Sequence, residues 1–120
     1  MTDADEALLE ARALVLADLA ATGGADAATV SVLEQVVADR RWWVTSWDQA
    51  PMYVAGLVAQ DLQDALLEDR GRWPLCPRCE DATHALYVHP DLGGPDPTWV
   101  CEETGSQVAP LGRLSDAAAT

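Results

Sequence analysis

Apolar positions recur with a helical period through the first half of the chain and lose that period near Leu75. At 100° per residue, Leu8, Leu9, Val15, Leu16 and Leu19 fall on one arc of about 120°. Glu6, Glu10 and Asp18 fall outside the arc. Arg12 falls inside it, so its stem must lie along apolar surface while its head reaches water or a partner. Thr2 or Asp3 can cap this helix, and Thr22-Gly23-Gly24 stops it after about Ala21. A second helix is predicted from the cap Asp26 to about Trp47, with Val32, Leu33, Val36, Val37, Trp43, Val44 and Trp47 on one face. A third starts after Asp48 with Pro51 in its first turn, buries Val54, Ala55, Val58, Leu62, Ala65 and Leu66, and ends at Gly71. The short links make the three helices antiparallel neighbours.

Beyond Leu75 the punctuation is Pro and Gly. Residues 84–88 and 98–101 read as two short strands around a Pro-rich loop at 89–97. The expected fold class is therefore α+β: three N-terminal helices, then a small β-hairpin. The expected division is a helical part over 1–72, a hairpin part over 73–114 and a disordered tail over 115–120, where small and polar residues dominate.

Composition narrows the function classes. Lys, Asn, Ile and Phe are absent, and all four have A/T-rich codons, which points to a high-GC bacterial or phage genome. The net charge is −13, part of which follows from the missing lysines. The charge is spread along the chain and no basic run exists, so direct nucleic-acid binding is not expected, because phosphate contacts need clustered Arg or Lys. The same charge favours a basic or neutral protein as partner. No apolar run approaches the roughly 20 residues of a membrane helix. The acidic N-terminus lacks the basic start of a secretory signal, so a cytoplasmic location is expected.

Three cysteines carry the candidate chemistry. Cys76-Pro77-Arg78-Cys79 presents two thiols to one point, and Cys101 follows after the predicted hairpin. In a reducing compartment such thiols read as metal ligands, as a redox pair or as buried apolar groups. No βαβ pattern surrounds the pair, which weighs against the redox reading. If the strands pair with Leu86 opposite Trp99, then His84 lies opposite Cys101 with Cβ atoms about 5 Å apart. Cys76, Cys79, His84 and Cys101 then form a Cys₃His set. A one-residue slip would turn His84 to the other face. His89, Glu102 and Glu103 are the other candidates for the fourth ligand.

The order Cys-Pro-x-Cys, strand, turn, strand, Trp-x-Cys resembles the zinc ribbon family over residues 75–105. Cys101 and the trailing Gly105 match the second knuckle of that family, but Thr104 stands where its last cysteine would be. The resemblance implies a structural Zn²⁺ holding the hairpin. Zinc ribbons that have lost the metal keep the hairpin and fill the space with apolar groups, and that alternative stays open here.

Other residues offer less. Trp42 projects away from the stripe shared by Trp43 and Trp47, so it is either covered by the hairpin or offered to a partner. It is the candidate partner-binding residue. Asp61, Asp64 and Glu68 share one helix face and read as a solvated acidic surface. Nucleophile elbows, phosphate loops and metalloprotease helices are missing from the sequence, so the protein is not expected to be an enzyme. The sequence reads as a small acidic zinc-binding accessory or adaptor protein acting through protein–protein contact. Two alternatives are an acidic nucleic-acid mimic that inhibits a basic protein and a small zinc hydrolase.

Overall fold

The computed structural model describes residues 2–79, 83–91 and 93–118. Three helices lead: α1 (Asp3–Ala21), α2 (Ala27–Val44) and α3 (Ala50–Arg70). Strands β1 (Leu86–His89), β2 (Thr98–Cys101) and β3 (Gln107–Pro110) follow, and α4 (Leu114–Ala118) closes the chain. The fold is α+β, as the sequence pattern implies. None of its helices is long and apolar enough to cross a membrane, among the described residues.

Caps set the helix starts. The Thr2 hydroxyl accepts from the Asp5 backbone N–H while the Asp5 carboxylate accepts from Thr2, a reciprocal box that satisfies two otherwise orphaned donors. Asp26 caps α2 by accepting the Thr29 N–H at 2.8 Å. Its second oxygen takes Arg70 Nη1 at 2.8 Å, tying the start of α2 to the end of α3. The α2–α3 pair is fastened again by a bidentate Arg40–Asp61 bridge at 2.6 and 3.0 Å, and the same guanidinium lies over the Trp43 ring. Asp61 is thus a structural partner rather than part of a free acidic face.

Burial departs from the helical wheel at instructive places. Leu8, Ala11, Val15 and Leu19 of α1 are buried, but Leu9 is 54% exposed. Asp18, expected on the solvent side, is wholly buried. α2 ends at Val44 rather than near Trp47, and Trp47 lies outside the helix with its ring against Trp43 and Tyr53. α3 buries Val54, Val58, Ala59, Leu62 and Leu66 against both other helices, while Ala65 faces solvent.

The sheet has the order β1-β2-β3, all antiparallel. The hairpin expected from the sequence is therefore extended by a third strand, and β1 spans 86–89 rather than 84–88. A bulge at Trp99/Val100 lets Val108 and Ala109 both turn into the core. Residues 115–118, expected within a disordered tail, belong to α4, because Leu114 and Ala117 find a place in the core. Residues 119–120 lie outside the described residues. One hydrophobic cluster runs from α1, α2 and α3 through Leu86, Val88, Trp99 and Cys101 to Leu114.

Asp18 joins these layers. Its Oδ2 accepts Trp99 Nε1–H at 2.7 Å and the Gly112 N–H at 2.7 Å, and its Oδ1 accepts the Leu114 N–H at 3.0 Å. One helix-α1 carboxylate thereby holds β2 and the entry to α4. Gly112 is needed for this approach: it has φ +90°, and a Cβ there would meet Leu14 Cδ2 at 2.5 Å. Burial pushes the Asp18 carboxyl above its ordinary range, although the three donors pull the other way.

Asp18→Ala leaves three buried donors without an acceptor and is expected to cost about 2–4 kcal/mol. Urea unfolding followed by circular dichroism checks this; an unchanged midpoint would show that the three bonds contribute nothing net. Asp26 supplies a pH test. Its pairing with Arg70 and Thr29 lowers its pKa from 3.8 to about 2, so the stability it contributes is full above 3.8 and is lost as pH falls towards 2. In urea titrations over that window, the gap between wild type and Asp26→Asn should narrow as the pH drops.

Candidate metal centre

The four-residue knuckle Cys76-Pro77-Arg78-Cys79 is fixed to the sheet by its leading segment. Leu75 bridges Ala85, the Cys76 N–H donates to the His84 carbonyl at 3.0 Å, and the Leu86 N–H donates to the Pro74 carbonyl at 2.8 Å. This sets Cys76 beside His84. On the other edge of the same stretch, Leu86 pairs with Cys101. The residues just before β1 therefore lie between the first knuckle and the end of β2. α3 supports this arrangement from behind, as Gln63 Nε2 donates to the carbonyls of Trp73 and Leu86 at 3.0 and 2.8 Å.

The donor atoms of Cys76, Cys79, His84 and Cys101 all lie within 4.8 Å of one another. Cys101 Sγ is 3.4 Å from His84 Nε2 and 3.8 Å from Cys79 Sγ. A tetrahedral ion bound at ordinary Zn–S and Zn–N lengths demands S···S edges of about 3.8 Å and S···N edges of about 3.6 Å. These two separations have that size, and all the others are no longer than 4.8 Å. A disulfide would instead bring two sulfurs to about 2.05 Å, and the three cysteines are free. Cys76, Cys101 and His84 are buried, and Cys79 is half-exposed. The donor set thus fits a metal ion, and every donor comes from the protein.

The electrostatics of the cluster follow from hydrogen bonds to its sulfurs and from their mutual proximity. The Thr104 hydroxyl, then the Thr104 and Glu103 backbone N–H groups and His84, all favour a thiolate at Cys101 and bring its pKa down to about 6. Cys79 sits against Cys76 and Cys101, and these sulfur neighbours push it up to about 12. The two shifts run in opposite directions, because a thiolate at one sulfur disfavours a second beside it. A cation placed among them removes that conflict, since metal binding takes thiolates and releases protons.

The strand register differs from the one expected. Leu86 faces Cys101 and Val88 faces Trp99, a shift of two residues from the pairing of Leu86 with Trp99. Side chains alternate with a period of two, so this shift keeps His84 on the face of Cys101. His84 is consequently diagonal to Cys101 rather than opposite it, and it precedes β1 instead of opening it. Of the other candidates, His89 is exposed at the far end of β1 opposite Thr98, and Glu102 is paired with Arg72 Nη1 at 2.9 Å. Glu103 is exposed and outside the cluster. Trp42 lies elsewhere, on α2, and is 71% exposed, so the hairpin does not cover it.

One residue of the site escaped sequence reasoning. Thr104 stands where a fourth cysteine would stand, and its hydroxyl is the leading influence on the Cys101 sulfur. The signal is present as Cys101-Glu102-Glu103-Thr104: a hydroxyl at a knuckle position is a donor to the sulfur three residues earlier.

Residues 4–111 match the family described as Domain of unknown function (DUF8819). The chain belongs to this family. The match runs from α1 through β3 and includes all four clustered donors. It is not a zinc ribbon family, so the likeness to zinc ribbons rests on cysteine spacing and on the hairpin. Neither a curated protein nor a solved structure is matched.

If His84 is a ligand and His89 is not, His84→Ala should lower metal retention by roughly tenfold or more, while His89→Ala leaves it unchanged. Equilibrium dialysis with zinc, read by elemental analysis, ranks the two. Equal effects would remove His84 from the site.

Proposed function

We propose that the protein is a small, non-enzymatic accessory or adaptor protein of the cytoplasm, that its metal is a structural Zn²⁺, and that it acts by binding another protein. The observation that supports this reading is the donor set: three sulfurs and one imidazole lie within 4.8 Å of one another and match in number the four donors a closed tetrahedral zinc site takes. Thiolate and imidazole donors in a tetrahedral set favour zinc over hard cations such as Mg²⁺. A catalytic zinc keeps one position open for water or substrate, which speaks against the hydrolase alternative.

Trp42 supports the interaction half of the reading. An indole 71% exposed on a regular helix is a costly surface unless something covers it. Neighbouring Trp43 is occupied by Arg40 and by the Trp47 ring. The charge favours a basic or neutral partner, because six of the seven arginines are already ion-paired with carboxylates of the chain itself. That same surplus of carboxylates is what favours the alternative reading as a nucleic-acid mimic.

The test is capture of partners from the native host by the full chain, compared with Trp42→Ala. Loss of an interface indole costs on the order of 2 kcal/mol, or roughly thirtyfold in affinity. Capture should fall in the variant while its circular dichroism stays unchanged, and it should survive a rise from about 0.1 to 0.5 M salt. A partner released by salt and indifferent to Trp42→Ala would instead support the mimic.

A further inference from the structure

Three sulfurs are close together, yet only one is open to solvent. Cys76 and Cys101 are almost completely buried, and Cys79 is half-exposed. Cys79 Sγ lies 3.8 Å from Cys101 Sγ, a separation that a side-chain rotation and a small loop shift can close. The two residues come from separate parts of the site, the first knuckle and the end of β2, so a bond between them would link the knuckle directly to β2. An exposed sulfur with a buried second sulfur in contact is the arrangement in which an oxidised thiol is captured before it oxidises further.

We propose that Cys79 is an oxidation site for peroxides, and that its capture by Cys101 forms a disulfide which ejects the metal. The inference rests on the zinc reading, because a bound cation is what would hold Cys79 as the reactive thiolate. In the first step the Cys79 thiolate attacks one peroxide oxygen, the O–O bond breaks, and Cys79 becomes a sulfenic acid while hydroxide leaves. In the second step the Cys101 sulfur attacks the Cys79 sulfur, the S–S bond forms, and the S–O bond breaks to release a second hydroxide. Solvent protons convert both hydroxides to water. Two electrons pass from the two sulfurs to the peroxide. Two of the four donors have then lost their negative charge, and Cys76 and His84 alone cannot retain zinc in a closed tetrahedral site. A dithiol reductant reverses the bond and restores the site.

The experiment uses the purified full chain. Its zinc content is measured by elemental analysis, hydrogen peroxide is added, free zinc is followed with a chromogenic chelator, and disulfides are mapped by mass spectrometry without reduction. Bound zinc should fall by roughly tenfold or more in step with a Cys79–Cys101 disulfide. Cys76 should remain free to alkylate, and dithiothreitol with added zinc should restore the starting content. A mapped Cys76–Cys79 bond would overturn the proposal. So would zinc loss without any disulfide, or zinc and thiols untouched by peroxide that oxidises the urea-unfolded chain. Protein that neither carries zinc as purified nor takes it up in dialysis would refute the zinc reading. Zinc-loaded protein in which peroxide yields no Cys79–Cys101 disulfide would refute the pairing while leaving the zinc reading intact.

Discussion

A carboxylate in a dry interior must find donors, and in this chain Asp18 finds all of its donors outside its own helix. The Trp99 indole N–H and the Gly112 and Leu114 backbone N–H groups converge on it from β2 and from the start of α4. Burying an ionised group without partners costs far more than any single contact returns, so the helices cannot settle on the sheet in a different position without exposing or orphaning Asp18. The constraint reaches the sulfur cluster through β2. Trp99 is fixed by Asp18 on one side and by the edge-on Trp73 ring, 5.6 Å away between centroids, on another, and Cys101 is two residues further on the same strand. Trp73 in turn donates its indole N–H to Thr22 Oγ1 at the end of α1. The strand that carries Cys101 and the segment that leads into Cys76 are thus both referred to one end of α1.

The sulfur cluster solves a different problem for the same region. Between Arg72 and Gln107 the chain supplies few large apolar side chains, and much of it is turn and loop. Such a segment lacks the buried area to offset its ordering entropy. Four donors drawn from the knuckle, the β1 lead-in and the end of β2 converge there within 4.8 Å of one another. Cys76 and Cys101 belong to the continuous hydrophobic cluster, so the centre is an extension of the core rather than a separate module.

The helices and the cysteine set were legible because each rests on a short-range rule. Caps at Thr2 and Asp26, Pro51 in a first turn and Gly71 at a helix end specify α1, α2 and α3 to within a few residues. The placement of His84 beside the three cysteines also survived an incorrect register, since a slip of two preserves strand faces. What was not legible depends on distant partners. Asp18 satisfies helical periodicity as a solvent residue, and only residues about 80 to 96 positions away make its burial tolerable. Gln107–Pro110 is a four-residue strand ending in Pro, too short for alternation to show, and it pairs through a bulge. α4 begins where Asp18 accepts its first N–H, so no local signal announces it.

The two adjacent tryptophans of α2 show how sequence order alone can fix an exposed surface. Consecutive residues on a helix point about 100° apart, so Trp42 and Trp43 cannot share a face. Trp43 takes the side towards α3, where Arg40 lies over its ring and Trp47 meets it edge-on with 6.2 Å between ring centroids. Arg40 is itself pinned by both oxygens of Asp61. Rotating the helix to bury Trp42 would break the bidentate pair, the cation–π contact and the aromatic edge together. The exposure of Trp42 is therefore not a surface accident that repacking can relieve: it is imposed by the same contacts that lock α2 to α3.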